Sequence, residues 1–339
     1  MKPTDFSRHL AGFLTRYLPG ERGVSPNTIL SYKDSFLLFV TFMLKEKGIN
    51  AERLELKSIT KDVVVEYLDW LQNKRSCSNS TRNARLAALH SFFRYLQYQN
   101  LENLHEWQRI LSIRIKTTQK QSVNYLTLDG IKLLLEGPNT LTSKGRRDLA
   151  LLSLLYDSGA RVQEIIDLVP SMLKLDTPCT VKLVGKGNKA RIVPLMQSQM
   201  KFVKIYMSEN KLLDPSANMY PLFFNSRKGK LTRAGINYIL LKYANIAKEK
   251  DTALIPDKIS CHSLRHSKAM HLLQSGVNLV YIRDILGHTS VQTTEIYARA
   301  DSLKKREALE KAYNEVVPKE APVWLAKNDL LAWLQGFNA

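Results

Sequence analysis

Apolar residues recur at helical spacing along most of this chain, and this periodicity restricts it to a mainly α-helical fold. In the first 115 residues, Ser25-Pro26-Asn27-Thr28 is typical of a helix start, because proline fits just inside the first turn. A later helix begins near Ser78. Its apolar stripe is formed by Leu86, Leu89, Phe92, Phe93 and Leu96. The basic residues predicted to lie largely off that stripe are Arg82, Arg85 and Arg94.

One segment, from Thr180 to Leu195, departs from the helical pattern. Apolar and polar residues alternate on one side of a turn rich in glycine, asparagine and lysine, and the apolar pair Ile192-Val193 follows that turn. Two such runs flanking a short turn predict a β-hairpin. The chain is therefore expected to be mainly α with a small β-hairpin or sheet, which places it in the α+β class.

A polar stretch over residues 116–124 divides the chain and is interpreted as an interdomain linker. It separates a helical domain at 1–115 from a second domain at 125–316, and residues 317–339 form a C-terminal tail. Helices resume with Thr127 as the predicted N-cap. The sequence also predicts a strongly apolar helix from Arg147 to Tyr156 and a short amphipathic helix from Arg161 to Leu168.

The net charge is the strongest indication of a partner. The chain of 339 residues has 50 Lys+Arg and 31 Asp+Glu, a formal charge of +19. The excess is not confined to a tail, because residues 1–120 carry +8 and residues 121–339 carry +11. A nucleic acid gripped by two basic domains accounts for this distribution, through neutralisation of its phosphates. A surface that serves only solubility is the alternative.

Several classes of protein are excluded by composition. Three cysteines, far apart and odd in number, argue against a disulfide scaffold and favour a reducing cytosol. The longest apolar run, near Leu149 to Tyr156, is too short for a bilayer span, and the N-terminus lacks a signal-peptide core. We find no Walker-type phosphate loop and no zinc-ligand spacing, so no cofactor and no metal are expected. Because the apolar runs are short, no membrane partner is expected either.

Two short segments near the C-terminal end contain residues suited to phosphoryl transfer. His262 and Arg265 are three apart, which places both on one face of a helix. Arginine offers a fork of donors for phosphate oxygens, and histidine exchanges a proton near neutral pH. Further on, Gly287 is predicted to end a helix and hold His288 in a tight elbow, and Tyr297 follows on the next helix. Taken alone, each segment also fits an ordinary helix terminus or core residue.

Together these segments resemble the tyrosine recombinase, or phage integrase, family, and they look closest to its small bacterial Xer-like members. The resemblance rests on His262-x-x-Arg265, Leu286-Gly287-His288 and Tyr297 nine residues beyond that histidine. An upstream arginine, Arg161, stands in the Gly-x-Arg-x-x-Glu-like context of the family, and Lys186 stands on a matching hairpin. The match spans residues 25–297. It implies an N-terminal helical-bundle core-binding (SAM-like) domain and a C-terminal tyrosine recombinase catalytic domain.

The resemblance implies a role for each matching residue. Arg161 and Arg265 would bind the scissile phosphate, and Tyr297 would attack it to leave a 3′-phosphotyrosine. Lys186 would protonate the leaving 5′-oxygen. His262 would act as acid or base on the nucleophile's side. His288 would donate a hydrogen bond to the phosphate. Glu164 would orient Arg161, although an ordinary surface ion pair is also compatible with its position.

DNA contacts are expected in both domains. In the first, the family's DNA-binding helix is similar to Ser80–Leu86, which contributes Arg82, Asn83 and Arg85. In the second, Lys189 and Arg191 follow the hairpin tip. The departures from the family pattern are modest: Ala160 replaces a bulkier residue, and Lys268 stands where an aromatic residue is common.

The implied activity is site-specific recombination through a Holliday junction, as in integration, excision, transposition or dimer resolution. The implied assembly is a homo-tetramer on paired double-stranded DNA sites, or a mixed tetramer with a sister recombinase, in the bacterial cytoplasm near the nucleoid. The apolar tail after Pro322 would dock on a neighbouring protomer or fold back on its own domain. Two alternatives stay open: a type IB topoisomerase-like or telomere-resolvase-like enzyme, and a catalytically silent DNA-binding regulator.

Overall fold

The protein is described here from a computed structural model that covers residues 3–118, 123–300, 331, 334 and 335, with Lys186 described by its backbone alone. Most of the predicted C-terminal tail therefore lies outside the described residues. The chain divides into two compact units, residues 1–121 and 122–339. The predicted fold class is confirmed, since both units are mainly helical and the second also contains a small sheet. None of the helices in the described ranges combines the length and the hydropathy required to cross a membrane.

The first unit is a bundle of helices that start at capping side chains. Ser25, Thr60 and Ser78 each accept a hydrogen bond from the backbone N–H three residues later, which satisfies a donor that the helix itself leaves open. The helices are α1 (Asp5–Gly12), which continues into a π-helical segment (Phe13–Glu21), α2 (Pro26–Lys47), α3 (Lys61–Asn73), α4 (Asn79–Gln99) and α5 (Leu104–Leu111).

Aromatic residues form much of the core of this unit. The rings of Phe13, Phe36 and Phe92 lie 5.2 to 6.2 Å apart, centroid to centroid, and pack mostly edge to face. The predicted apolar stripe of α4 is buried as expected. The prediction that Arg82 lies off this stripe is wrong, because Arg82 is only 5% exposed. It precedes Leu86 by one helical turn and so shares the buried side of the helix.

The start of the predicted linker is held by α4. The side-chain amide of Asn83 donates to the carbonyl of Lys116 and accepts from its backbone N–H, at 2.7 and 3.0 Å. One turn earlier, Asn79 donates to the carbonyl of Thr117 at 2.9 Å. The first linker residues therefore belong to the packing of the first unit.

The second unit surrounds one almost fully buried helix. Its helices are α6 (Leu128–Leu135), α7 (Ser143–Ser158), α8 (Val162–Ile166), α9 (Gln197–Glu209), α10 (Arg233–Lys250), α11 (Cys261–Gln274), α12 (Leu279–Leu286) and α13 (Glu295–Ala300). Helix α7 packs against α9 and α11, and its apolar residues are buried on all sides. Thr127 caps α6 as predicted, by accepting the N–H of Gly130.

The sheet has three antiparallel strands in the order β1 (Leu173–Lys174), β2 (Thr180–Val184) and β3 (Ala190–Pro194). The predicted hairpin is formed by β2 and β3, paired from Thr180 opposite Pro194 to Val184 opposite Ala190. Val181 and Leu183 point into the core while Lys182 is exposed, which explains the alternation in sequence. The tip turns at Gly187 and Asn188, both in the left-handed region. The short strand β1 was not separately predicted.

Candidate active site

The site begins where α7 ends, at Gly159. This glycine has a left-handed backbone (φ 56°), and a Cβ here would lie 3.0 Å from Cδ2 of Leu286. Conformation and space both favour glycine at this position. Two residues later Arg161 is the N-cap of α8, and its backbone N–H donates to the Glu164 carboxylate at 2.8 Å. The turn thereby fixes the backbone that carries the first arginine.

The side chain of Arg161 is held by two hydrogen bonds and is still partly exposed. Its Nη1 donates to Oε1 of Glu164 at 2.9 Å, and its Nη2 donates to the carbonyl of Gly287 at 3.2 Å. One third of the side chain is exposed. The guanidinium is therefore positioned by the protein and still accessible to an anion.

Arg265, on the first turns of α11, is buried and contacts two carbonyl oxygens. Nη1 donates to Gly159 and Nη2 to Leu286, both at 2.6 Å. Burial, followed by the neighbouring positive charges of Arg161 and Arg191, lowers the pKa of Arg265 to about 10. The guanidinium stays charged at neutral pH, and its hydrogen-bonding partners are uncharged. Such a group attracts an anion, because neither of its hydrogen-bonding partners neutralises its charge.

Glu164 joins Arg161 to a further arginine on the hairpin. Arg191, on β3, donates Nη1 and Nη2 to the two Glu164 oxygens at 2.9 and 2.8 Å, and Nε to the carbonyl of Ile285 at 2.8 Å. Burial alone would raise the pKa of Glu164, but the hydrogen bonds from Arg191 and Arg161 outweigh it and lower the value. Glu164 is 5% exposed, so the alternative of an ordinary surface pair does not describe it.

A cleft of about 440 Å³ lies beside these arginines. It is lined by Arg161, Gly185, Lys189, Ala190, Arg191, Arg283, Asp284, Gly287, His288, Thr289 and Thr293. Lys189 is exposed at the rim, where the sequence predicts a DNA contact. Arg191 lines the same cleft, but its guanidinium already has three protein acceptors. Lys186 is in the turn at the hairpin tip, which is one wall of the site.

Two predicted histidines border the site with different environments. Partial burial of the ring, with the nearby Arg265 and Arg161, lowers the pKa of His262, whose side chain remains exposed. His288 is more enclosed, and its Nδ1 lies 2.9 Å from Oγ1 of Thr294. Burial and the three site arginines lower the pKa of His288 to about 4. At neutral pH its ring is uncharged and offers one donor.

Tyr297, on α13, is 1% exposed. Its ring is nearly parallel to that of His288, with an interplanar angle of 12° and centroids 6.5 Å apart. Its hydroxyl lies 2.9 Å from Nδ1 of His266. Burial raises the pKa of the hydroxyl, while Arg265 and Arg161 act in the opposite direction. The tyrosine oxygen is therefore within electrostatic reach of both arginines.

The structure brings Arg161, Glu164, Arg265, His288 and Tyr297 into one connected site. His266 was missed by the sequence reasoning. The available signal was its position directly after Arg265 and one helical turn after His262. The contact of Arg191 with Glu164 was also missed, because it joins residues 27 positions apart.

The three residues predicted to bind DNA in the first unit all have internal partners. Asn83 pairs with Lys116, as described above. Arg85 donates to Oγ of Ser35 at 2.9 Å, and the buried Arg82 donates to Oδ1 of Asn83 at 3.3 Å. Their contact with DNA stays a prediction.

In the part of the chain that the structure describes, no three His, Cys, Asp or Glu side chains are grouped as metal ligands would be.

Two family models match the chain. The phage integrase family matches residues 124–304, and the phage integrase N-terminal SAM-like domain matches residues 12–100. Each match falls within one of the two compact units.

Individual proteins are similar over most of their length. The Sinorhizobium fredii protein y4rC, named as an integrase/recombinase, is 35% identical over 302 residues, covering 89% of this chain and 90% of that protein. The tyrosine recombinase XerD of Listeria monocytogenes is 32% identical over 295 residues, covering 86% and 94%. A crystal structure of the XerH site-specific recombinase bound to palindromic difH substrate, a post-cleavage complex, matches with a TM-score of 0.68 and 26% identity. It covers 85% of this chain and 81% of that one.

Proposed function

The chain belongs to the phage integrase family, and from this premise we propose how its residues break and rejoin DNA. It is a tyrosine recombinase that acts in DNA recombination, and its partner is a DNA recombination site. A cleavage mechanism is supported by three observations on one site. Arg161 and His288 line the cleft, and the buried Arg265 bonds to the carbonyl of Leu286, the neighbour of the cleft residue Gly287. The buried Tyr297 hydroxyl is within electrostatic reach of both arginines.

The two arginines would act on the phosphate. A phosphodiester resists nucleophiles because its own negative charge repels them. Arg161 and Arg265 would bind the non-bridging oxygens and stabilise the charge that builds up in the pentacoordinate transition state. Comparable preorganised donors contribute about 3–4 kcal/mol each in other enzymes. His288, uncharged at neutral pH, would donate a further hydrogen bond to the same phosphate.

Tyr297 would be the nucleophile. Its oxygen attacks phosphorus, the bond from phosphorus to the 5′-oxygen breaks, and a 3′-phosphotyrosine remains. Lys186 would protonate the departing oxygen from the hairpin tip, and His262 would assist as acid or base on the nucleophile's side. The covalent intermediate conserves the energy of the phosphodiester, so rejoining to a second 5′-hydroxyl needs no ATP.

The assembly follows from the reaction. Exchange between two duplexes requires four cleavages, and we propose a homo-tetramer on paired sites with a Holliday junction as intermediate. Association with bacterial nucleoid DNA in the cytoplasm is the corresponding location. The positive charge of both halves of the chain supports DNA contact by each unit.

The test is a nicked suicide DNA substrate, which traps the covalent adduct because the cleaved fragment diffuses away. We expect an adduct with the wild type and with Tyr156→Phe, which alters a half-buried tyrosine that bonds to His271, and none with Tyr297→Phe. An adduct that persists in Tyr297→Phe would refute the assignment. Cleavage with no Holliday junction on paired sites would favour a topoisomerase-like or resolvase-like reaction. No adduct with the wild type would favour a silent regulator.

A further inference from the structure

The nucleophile has one direct hydrogen-bonding partner among the described side chains, and it is His266. Nδ1 of His266 lies 2.9 Å from the Tyr297 hydroxyl, and the two ring centroids are 5.7 Å apart. A general base must lie within about 2.6–3.2 Å of the group whose proton it removes. The His266 nitrogen meets this requirement without any movement.

The protonation states fit a transfer from tyrosine to histidine. Burial, His262 and Arg265 all lower the pKa of His266, so its ring is uncharged at neutral pH. A neutral imidazole carries its proton on one nitrogen and accepts on the other. Because burial also keeps Tyr297 protonated, the consistent arrangement has the tyrosine O–H donating to Nδ1 and the histidine proton on Nε2.

The position of His262 is different. Its ring lies 6.3 Å from that of His266, centroid to centroid, and its side chain is exposed. In the described part of the chain, no hydrogen bond links His262 to Tyr297. The histidine that the resemblance assigns to the nucleophile's side is therefore one helical turn away from the one that contacts the nucleophile.

The surroundings place this contact within the site. His266 directly follows Arg265, so the phosphate-binding guanidinium and the imidazole are carried by one turn of α11. His288 lies nearly parallel to the tyrosine ring, with centroids 6.5 Å apart. The hydroxyl is within electrostatic reach of Arg265 and Arg161, the arginines that would hold the phosphate.

We propose that His266 is a catalytic residue of the cleavage reaction, the base that accepts the Tyr297 proton. The inference rests on the proposed function of Tyr297 as nucleophile. As the tyrosine oxygen bonds to phosphorus, its proton passes to Nδ1 of His266. The electron pair of the breaking bond stays on the 5′-oxygen, which takes a proton from Lys186. In rejoining, the attacking 5′-hydroxyl gives its proton to Lys186 as its oxygen bonds to phosphorus, and His266 returns its proton to the tyrosine oxygen as the phosphotyrosine bond breaks.

The experiment measures single-turnover cleavage of the nicked suicide substrate by the full chain. The variant His266→Asn keeps an acceptor beside Tyr297 but cannot take up the proton, and His266→Ala removes both functions. We expect both to form the adduct about 10²-fold more slowly or worse, the range found for general bases. The wild type and Tyr297→Phe are run in parallel.

A second substrate separates the two sides of the reaction. With a 5′-bridging phosphorothiolate, the leaving thiolate needs no proton, so a Lys186→Ala variant should recover its rate. His266→Asn should remain slow on this substrate, because its defect concerns the nucleophile. Recovery of His266→Asn would overturn the proposal by placing His266 on the leaving-group side.

The matched control is His271→Asn. His271 lies on the same helix and makes a contact of the same kind and length, Nδ1 to the Tyr156 hydroxyl at 2.9 Å, away from Tyr297. We expect the His271→Asn variant to cleave at the wild-type rate at temperatures below its melting temperature. A His266→Asn rate equal to that of His271→Asn, or faster than wild type, would overturn the proposal. If the wild type itself forms no adduct, the proposed function fails instead.

Discussion

Glu164 binds Arg191 through both carboxylate oxygens, and the same carboxylate binds the side chain and the backbone N–H of Arg161. The buried Glu164 therefore fixes both Arg191 on the hairpin and Arg161 at the start of α8. Since Arg161 is the one proposed to bind the phosphate, loss of Arg191 should reduce cleavage as well as stability.

We predict that Arg191→Ala destabilises the second unit by about 3–5 kcal/mol, because it leaves the Glu164 charge buried with one arginine fewer. Cleavage should fall by about 10²-fold as Arg161 loses its fixed position. Denaturant unfolding and single-turnover cleavage measure the two effects. Arg283→Ala is the matched control for stability, since Arg283 lines the same cleft but pairs with an exposed neighbour, Asp284. Equal unfolding curves for the two variants would contradict the assignment.

Gly287 offers a second test of the site's geometry. Its backbone is left-handed (φ 64°), and a Cβ would lie 2.9 Å from Nη1 of Arg191. We expect Gly287→Ala to lose about 1–2 kcal/mol from the backbone alone and to slow cleavage by displacing Arg191. Gly276→Ala carries the same backbone strain (φ 88°) with nothing within 4 Å, so it should lose stability but not activity. Matching cleavage rates would show that the guanidinium tolerates the methyl group.

The buried pair of Lys268 and Asp157 predicts a non-additive pair of substitutions. Their charged atoms lie 2.9 Å apart, and the side chains are 15% and 4% exposed. Lys268→Met should cost about 3–5 kcal/mol, because the Asp157 charge loses its counter-ion. The double variant with Asp157→Asn should recover most of that loss. Melting curves of the two single variants and the double variant measure these losses. If the stability change of the double variant equals the sum of the two single changes, the two residues are not coupled.

The pH dependence of stability should reflect His288. Its pKa in the folded protein, about 4, lies below the ordinary value of 6.5. Between these values the unfolded chain binds a proton that the folded chain does not, so stability falls as the pH falls through this window. One such group contributes a slope of up to about 1.4 kcal/mol per pH unit. His288→Gln should flatten the unfolding free energy from pH 6.5 to 4 relative to wild type. An unchanged slope would mean that His288 is protonated freely in the folded state.

Local features were predictable from sequence because they depend on neighbours along the chain. Thr127 as a cap, Gly287 as a helix end and the hairpin of β2 and β3 each follow from a few adjacent residues, and the structure confirms them. The order of the motifs also indicated the correct family.

Contacts across the fold were not predictable in the same way. Lys268 and Asp157 are 111 positions apart, and nothing local marks them as partners. The sequence pattern identifies Lys268 only as a lysine at a position where an aromatic residue is common. The structure shows that the Asp157 carboxylate is its partner. Arg82 was placed on the wrong side of α4 because a charged residue was assumed to face solvent, although its spacing from Leu86 indicated the buried side.

The two carbonyl partners of Arg265 explain how the fold holds a buried cation. The carbonyls of Gly159 and Leu286 stand at the C-terminal ends of α7 and α12. Each helix end carries about half a negative charge from its aligned peptide dipoles. The guanidinium is thus stabilised by two macrodipoles rather than by a carboxylate salt bridge. Dipoles of this kind orient the arginine and leave its full charge uncancelled, which is the condition that the proposed binding of a phosphate requires.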